Sequence, residues 1–444
     1  MVTQATQHLD DIAKICEANA IHTVELVFVD TWGIPRAKRL PVRQFLKGAG
    51  FAVAIAPLMW NPRCGIEDTS LATVGDGLPD IHATADYDSF RVAGWEEGLG
   101  TVMCDLTDLH THEAVPMASR AMLKRQLANF ASEGMYPQLA TELEFHLATA
   151  NWEPLYNEIF CYSSDKATEL EPIIGGIRHA LLRTGIEVEA SNSEYGPGQV
   201  EINLVYGPAL KMADDTVLFK HIVRQVARQH GLNVTFMAKP YMNEAGNGMH
   251  VHQSLANAEG TNLFGIEDIE GPIPSSLMKR YLAGVLAHHK DLQLIATPTI
   301  NGYKRLADYS FSPTQVTWGL DHRLVGVRSI VEGGAANRLE VRWAAADSNP
   351  YLVLTGCLAA GWHGLHEDLP LIDMVISDPH ADDRWERLPG TIGEAVANFE
   401  AASFNREAFG DMFVTVFSEM QRLEIASFQA HVTDWELARY RDVI

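Results

Sequence analysis

Two glutamates lie two positions apart in residues 140–147, which read Ala-Thr-Glu-Leu-Glu-Phe-His-Leu. In an extended strand, successive side chains point to opposite faces. Glu142 and Glu144 would therefore share one face, and Leu143 and Phe145 would pack on the other. Ionised carboxylates are rarely held side by side without a cation. Alone, such a pair is typical of a solvated edge strand, so the rest of the chain decides whether it does chemistry.

Other segments repeat this polar alternation. Glu201 and Asn203 share a face in one segment, and His250 and His252 share a face in another. In residues 337–342, three charged side chains alternate with apolar ones. Several such strands predict a sheet whose inner face lines a polar, ion-filled cavity instead of a core.

The donor atoms on these strands indicate which ions the cavity would hold. Facing carboxylates keep some of their number protonated unless divalent cations neutralise them. Mostly oxygen ligation favours Mg²⁺ or Mn²⁺ over zinc. Guanidinium groups bind phosphate and carboxylate. Metal ions together with arginines are typical of sites that transfer phosphoryl groups. The candidate ligands are Glu142, Glu144, Glu194, Glu201, Glu340 and His250, and the arginines are Arg305, Arg323, Arg328, Arg338 and Arg342.

The hydrophobic periodicity and the turn residues predict the elements that carry these groups. A first part has an opening helix, a hairpin and short strands, and it forms a small α+β domain. A second part alternates strands and helices, with a helix starting at Asn349-Pro350 and a mainly helical end from residue 391. The predicted helices are 7–21, 118–133, 171–184 (with Pro172 in the first turn) and 214–230; the predicted strands are 24–29, 36–40, 140–147, 186–190, 200–204, 233–237, 249–254 and 339–343.

Composition limits the partners and the compartment. The chain has 57 acidic and 34 basic residues, a formal charge of −23, which argues against a nucleic acid or an anionic membrane as partner. The first residues lack a signal-peptide pattern, and no apolar run reaches the ~20 residues of a membrane span. The five scattered cysteines predict buried free thiols in a reducing compartment. We therefore expect a cytoplasmic protein.

The motif blocks, taken in order, resemble the signature segments of the glutamine synthetase family. The resemblance covers nearly the whole chain, because the Asp-Thr-Trp-Gly turn at 30–33 extends it to the first part. It implies an α+β fold: a small N-terminal β-grasp-like domain (1–112), then a catalytic domain (113–444) with an antiparallel curved sheet, or half-barrel, lined by metal ligands and flanked by helices. The matching blocks are residues 142–144, 194–201, 246–252, 301–306 and 338–342.

The resemblance also implies a role for each site residue, with two or three Mg²⁺ or Mn²⁺ ions per site and ATP as co-substrate. One metal would be held by Glu144, Glu194 and Glu201, and a second by Glu142, His250 and Glu340. The ATP-binding residues would be Glu189, Tyr206, His252, Ser254, Arg323, Arg328 and Arg338. Glutamate would be bound by Gly246, Arg305, Arg323 and Arg342, and the three arginines would be catalytic.

The implied reaction forms γ-glutamyl phosphate from glutamate and ATP, and an amine then displaces phosphate. The implied assembly is a homo-oligomer, commonly a dodecamer of two stacked hexamers, with each site shared between neighbouring subunits.

Two departures from the family pattern concern the amine. Ammonia-using members have a carboxylate six residues after the arginine of the Tyr-Lys-Arg-Leu block, where this chain has Phe311. They also present an aspartate from the neighbouring subunit, where this chain has Ala52. Ammonium needs negative charge and a base, whereas an apolar amine needs apolar surface. These departures predict a γ-glutamyl-amine ligase for a small aryl or alkyl amine, with Phe311 and Ala52 at the amine pocket.

Four other interpretations stay open at this point. Asp308 could replace the missing acid, in which case Phe311 only packs. The protein could be an ordinary glutamine synthetase that uses ammonia. It could be an inactive structural or sensing relative, which the filled metal-ligand positions disfavour. A two-metal phosphatase or nuclease is disfavoured by the negative charge. Separately, Ala245 and the Asn192-Ser193 pair depart from the family near the glutamate site, so glutamate could bind less tightly or a related acid could be accepted.

Overall fold

A six-stranded sheet occupies the N-terminal part of the computed structural model, which describes residues 2–48, 50–265 and 273–444. Its order is β2-β1-β6-β4-β3, with β5 beside β6; β1 and β6 are parallel and the other pairs are antiparallel. The elements are α1 (Val2–Ala18), β1 (Thr23–Val29), β2 (Pro35–Pro41), α2 (Val42–Phe45), β3 (Phe51–Ala54), β4 (Asp80–Ala85), β5 (Arg91–Val92) and β6 (Leu99–Asp108).

A nine-stranded, largely antiparallel sheet follows, and helices pack against it. Its order is β13-β14-β15-β12-β7-β9-β8, with β10 and β11 also paired to β7. Its strands are β7 (Tyr136–Ala148), β8 (Val188–Ser193), β9 (Gln199–Leu204), β10 (Gly207–Pro208), β11 (Asn233–Thr235), β12 (Met249–Ala256), β13 (Trp318–Leu320), β14 (Val327–Ile330) and β15 (Arg338–Val341). The helices are α3 (Ser119–Ser132), α4 (Ser164–Arg183), α5 (Ala209–Gln229), α6 (Ser276–Ala287), α7 (Gln293–Ala296), α8 (Pro350–His366), α9 (Ile392–Ala401), α10 (Ser403–Phe409), α11 (Asp411–Gln429) and α12 (Asp434–Tyr440). The predicted fold class, with its curved sheet and flanking helices, is confirmed; the domain division at residue 112 stays a prediction.

The strand register brings the polar side chains of distant segments together. Glu142 pairs with Asn203 on one side and with His250 on the other. Glu340 pairs with His252 on β12 and with Arg328 on β14. Because paired residues point to the same face of a sheet, the register alone gathers these groups on one surface.

The opposite face of β7 belongs to the core. Leu143 and Phe145 are fully buried, and Phe145 meets Phe219 of α5 at a ring-centroid distance of 6.2 Å. The central helix α8 is capped by Asn349, as its Asn-Pro start predicts. The Asn349 side-chain amide also donates to the backbone carbonyls of Asp30 (3.3 Å) and Thr31 (3.2 Å). These hydrogen bonds connect the turn between β1 and β2 to the start of helix α8.

Some predicted boundaries are wrong. The helix placed at 171–184 is α4 and begins at Ser164, so Pro172 lies inside it. The Ser163 side chain caps this helix by accepting from the backbone N–H of Lys166, and that cap outweighs the proline, which is better tolerated in a first turn. The strand placed at 186–190 is β8 and runs instead to Ser193, directly before Glu194. The other predicted elements are shifted or extended at their ends.

The cysteines are free, but Cys64 is exposed and Cys161 is half-buried, so the prediction that all are buried is wrong. Among the residues that the structure describes, no helix has both the length and the apolar character needed to cross a membrane.

Candidate active site

A cavity of about 720 Å³ lies on the polar face of the nine-stranded sheet. Its walls contain every side chain that the sequence predicted for metals, ATP and glutamate, together with Phe311. Ala52 is absent from its walls. The predicted residues that line it are Glu142, Glu144, Glu189, Glu194, Glu201, Tyr206, Gly246, His250, His252, Ser254, Arg305, Phe311, Arg323, Arg328, Arg338, Glu340 and Arg342.

Glu142, His250 and Glu340 form the tightest group of potential metal ligands. One ligand atom from each lies within 4.8 Å of the others. His250 Nδ1 is 2.7 Å from Oε1 of Glu142 and 3.6 Å from Oε1 of Glu340. In the described part of the chain, no other histidine, cysteine or carboxylate set meets this distance criterion. Two carboxylates and one imidazole fit a divalent cation of the Mg²⁺ or Mn²⁺ type.

Glu144, Glu194 and Glu201 form a second acidic group in the same cavity. The β7–β9 register places Glu144 directly opposite Glu201, and Glu194 follows the end of β8. Burial and the neighbouring Glu144 carboxylate raise the pKa of Glu194 to about 7. Burial and the Glu142 carboxylate also raise the pKa of Glu201. Carboxylates that oppose one another's ionisation are a suitable donor set for a cation, which would supply the missing positive charge.

Arginines surround Glu340. Arg328 Nη1 donates to its Oε2 at 2.8 Å, and Arg342 Nη1 donates to its Oε1. Burial opposes ionisation of Glu340, but Arg342 and His250 lower its pKa to about 2. Both carboxylate oxygens are therefore engaged, and the carboxylate is ionised at neutral pH.

The remaining arginines of the cavity differ in how far their guanidinium groups are engaged by other residues. Arg305 is buried, with its guanidinium beside the Gly248 backbone and close to the Glu144 carboxylate. Arg338 donates to the backbone carbonyl of Ala336 (2.8 Å) and to Nδ1 of His252 (3.3 Å). Arg323 is exposed at the cavity wall and makes no ion pair with any described residue. A free guanidinium beside bound ones suits an incoming phosphate or carboxylate.

The backbone at Gly246 is tightly enclosed. A Cβ added there would lie 2.5 Å from the carbonyl oxygen of Ala238 and 2.9 Å from Cγ of Arg305. Gln199 Nε2 donates to the Gly246 carbonyl at 2.9 Å, which fixes its direction. A side chain at this position would displace Arg305, so glycine is required by space.

Sequence reasoning missed the buried groups that support this loop. Asn247 is fully buried, and its Oδ1 accepts from Gln199 Nε2 (3.1 Å) and from Nδ1 of His146 (2.9 Å). Burial lowers the pKa of His146 to about 4, so the ring is neutral and donates through Nδ1. Gln199, Asn247 and His146 lie within or beside the motif blocks, and that position is the sequence signal that could have identified them.

Three comparisons with known proteins agree with this geometry. The model of the glutamine synthetase catalytic domain matches residues 116–440. The chain belongs to the glutamine synthetase family. Within the family, it is 32% identical to the glutamate–isopropylamine ligase of Pseudomonas sp., with 98% of each chain covered. It is 34% identical to γ-glutamylethanolamide synthetase GlnA4 of Streptomyces coelicolor, with 97% of this chain and 95% of that protein covered.

A solved structure described as a GmaS–ADP complex superposes with a TM-score of 0.85 at 29% identity, covering 97% of this chain and 99% of that one. The predicted resemblance to the γ-glutamyl-amine ligases of the glutamine synthetase family is confirmed, as is the prediction of an ATP-dependent ligase. Glutamine synthetase of Halobacterium salinarum is 30% identical over 97% of this chain and 95% of its own, so identity alone separates the two kinds of family member only weakly.

Phe311 is the most informative departure from the ammonia-using members of the family. It lines the cavity with half its surface exposed, and its ring stacks on Tyr195 at 5.4 Å between centroids and 29° between planes. Asp308 does not line the cavity. Its carboxylate binds Arg387 (3.0 and 3.1 Å) and the Thr314 hydroxyl (2.5 Å), which does not support the interpretation that it replaces the missing acid.

Ala52 lies on β3, opposite His82 of β4, and its carbonyl accepts from Lys38 at 2.8 Å. The single chain does not bring Ala52 to its own cavity. Its expected contribution to a neighbouring subunit's site stays a prediction.

Proposed function

We propose that the protein joins the γ-carboxylate of glutamate to a small organic amine, aryl or alkyl, and consumes ATP. The products are a γ-glutamylamide, ADP and phosphate. The observation that carries this proposal is Phe311 on the cavity wall, where ammonia-using members of the family have a carboxylate. The isopropylamine and ethanolamine ligases among the relatives support the same conclusion.

In the first step, a γ-carboxylate oxygen of glutamate attacks the γ-phosphorus of ATP. The bond between that phosphorus and the bridging oxygen breaks, and ADP leaves. Arg305, Arg323 and Arg342 would bind the glutamate carboxylates and the transferring phosphoryl group by their guanidinium donors. His252, Ser254 and Arg338, with Glu189, Tyr206 and Arg328, would hold the nucleotide. Gly246 would admit glutamate because its backbone has no side chain to block the approach.

In the second step, the amine nitrogen attacks the acyl carbon of γ-glutamyl phosphate, the bond to phosphate oxygen breaks, and the proton that the nitrogen loses passes to the departing phosphate or to water. Glu144, Glu194 and Glu201 would hold one Mg²⁺ or Mn²⁺ ion, and Glu142, His250 and Glu340 a second. When bound, these ions supply positive charge that neutralises the polyphosphate. Asp308, the acid nearest to Phe311 in the sequence, lies outside the cavity and pairs with Arg387, so the amine would be held by apolar contact with Phe311 instead of by charge.

The alternative of an ordinary glutamine synthetase needs a group that attracts ammonium and removes its proton. Asp308 is engaged with Arg387 outside the cavity, which weakens that alternative. An inactive relative is disfavoured, because all six predicted metal ligands are present and line one cavity. A stacked homododecamer with shared sites, and a cytoplasmic location, remain part of the proposal by family likeness.

The test is phosphate release from ATP with glutamate and a panel of amines: ammonia, methylamine, ethylamine, isopropylamine, ethanolamine, putrescine and aniline. An apolar alkyl or aryl amine should give the highest kcat/KM, and putrescine a low one because its second cation would lie against the apolar ring of Phe311. Ammonia as the best substrate at low concentration would contradict the proposal.

A further inference from the structure

We propose that Tyr195 is a specificity residue that acts together with Phe311. The two rings form one aromatic wall that binds the apolar substituent of the amine. The substrate class is then a primary amine with a branched or ring-shaped apolar group, in preference to ammonia or to a diamine. This inference rests on the proposed function and adds to it a residue and a substrate shape.

The aromatic wall, defined as the rings of Tyr195 and Phe311, is open to the cavity. Both side chains line it, and their relative exposures are 50% and 51%. No described residue forms a hydrogen bond with the Tyr195 hydroxyl or packs a third ring on the pair. Half-exposed stacked aromatics inside a cavity offer a contiguous apolar contact area to a bound ligand.

The spacing of the rings determines how a substrate could use them. Their centroids are 5.4 Å apart, whereas a third ring inserted between them needs roughly 7 Å, two carbon contact distances. A substrate therefore cannot enter between the rings and would lie on their exposed surfaces. The wall then acts by contact area and shape, which favours compact apolar groups.

The backbone fixes each ring next to a charged group. Tyr195 directly follows Glu194, and its backbone N–H donates to Oε2 of Glu194 at 3.2 Å. The residue before Phe311, Ser310, contacts Arg305: its hydroxyl donates to the Arg305 backbone carbonyl at 3.0 Å. The wall thus shares one cavity with a predicted metal ligand, Glu194, and a predicted glutamate ligand, Arg305.

Phe311 has a backbone φ of 59°, in the left-handed region that non-glycine residues seldom adopt. The loop is held in place from outside: Asp308 binds Arg387, and the Tyr309 hydroxyl donates to Asp378 at 3.1 Å. Surroundings that maintain an unfavourable backbone conformation are typical of functional positions. Here that conformation directs the Phe311 ring toward Tyr195.

The test measures kcat/KM for isopropylamine, aniline and hydroxylamine in the full-length enzyme with glutamate and ATP. Hydroxylamine carries no apolar substituent, so it reports the chemistry without the wall. Tyr195→Ala should lower kcat/KM for isopropylamine and aniline relative to hydroxylamine by about tenfold to a hundredfold, the equivalent of one lost apolar contact surface. Tyr195→Phe keeps the ring and should keep the wild-type ranking of amines.

Two further variants make the test specific. Phe311→Ala should change the ranking as Tyr195→Ala does, and the double variant should lose less than the product of the single losses, because one wall is removed in each case. Tyr440→Ala is the control: this exposed tyrosine of α12 does not line the cavity and has no part in holding the Phe311 loop, so the ranking should not change.

If Tyr195→Ala retains hydroxylamine turnover and the wild-type ranking of amines by kcat/KM, the role of the aromatic wall is ruled out. The proposed function would be unaffected by that result. If Tyr195→Ala loses turnover of all amines, the same ranking of kcat/KM is measured in Tyr195→Leu and Phe311→Ala. An unchanged ranking in both would rule out the aromatic wall. A wild-type enzyme that prefers ammonia would instead overturn the proposed function itself.

Discussion

His250 Nδ1 lies 2.7 Å from Oε1 of Glu142, across the antiparallel pair β12–β7. The two residues are direct partners in the strand register, and Glu340 reaches the same point from β15 on the other side of β12. Three strands that are distant in sequence thus each supply one ligand atom to a single point. The E-x-E strand therefore lies at the centre of a group that could hold a metal ion and is not a solvated edge.

We expect Mn²⁺ to raise the melting temperature of the wild-type protein, because a cation that binds only the folded state stabilises it by about 2.7 kcal/mol at a hundredfold excess over Kd. Glu142→Gln should remove most of that gain. Thermal unfolding with and without MnCl₂ measures it. Glu158→Gln, at an exposed glutamate outside the cavity, is the matched control. A full Mn²⁺ shift in Glu142→Gln would contradict the ligand assignment.

Phe311→Glu should move the preference toward ammonia, because a carboxylate on the cavity wall attracts ammonium and can accept its proton. The ratio of kcat/KM for ammonia to that for isopropylamine should rise. Tyr440→Glu places the same charge on exposed α12, outside the cavity and away from the Phe311 loop, and should leave the ratio as it is. Equal ratios in the wild type and Phe311→Glu would show that Phe311 does not select the amine.

Gly246→Ala should weaken glutamate binding and raise KM for glutamate, because the added methyl group would collide with the Ala238 carbonyl and Arg305. Overpacking of this kind costs about 1–3 kcal/mol. Gly393→Ala is the control: its Cβ would be 4.0 Å from the nearest atom, in the exposed part of α9. Steady-state kinetics and thermal unfolding separate a binding defect from loss of fold. An unchanged KM in a stable Gly246→Ala variant would argue against this role.

Arg120→Met should destabilise the protein by about 3–5 kcal/mol, since removal of one partner leaves buried charge uncompensated. Arg120 binds Asp214 (2.9 Å), Asp105 (2.7 Å) and Asp86 (2.9 Å), and so connects the first sheet to α5. Lys14→Met breaks an exposed pair with Asp11 and should leave the free energy of unfolding nearly unchanged. Denaturant unfolding measures both. Similar small losses would show that the buried network contributes little.

The shared face of the β7 carboxylates could be predicted because period-two alternation indicates directly which side chains of a strand point the same way. Glu142 and Glu144 opposite Leu143 and Phe145 is such a pattern, and it depends only on local geometry. The predicted start of α4 is wrong because the sequence places Pro172 in the first turn. The Ser163 cap begins the helix earlier, at Ser164.

The aromatic wall could not be predicted, because the meeting of Tyr195 and Phe311 depends on a loop with a left-handed backbone that no local pattern specifies. The support of Gly246 by Gln199 and Asn247 was missed for a related reason. Each is a polar residue whose role depends on partners brought by tertiary packing.

Competition between ammonia and isopropylamine distinguishes an organic-amine ligase from an ammonia-using glutamine synthetase. Wild-type enzyme is incubated with glutamate, ATP and equal low concentrations of ammonia and isopropylamine, and the products are separated by mass. We expect γ-glutamylisopropylamide to exceed glutamine among the products, and Phe311→Glu to reduce this excess. Glutamine as the main wild-type product would rule out the proposed organic-amine specificity and identify the protein as an ammonia-using member of the family.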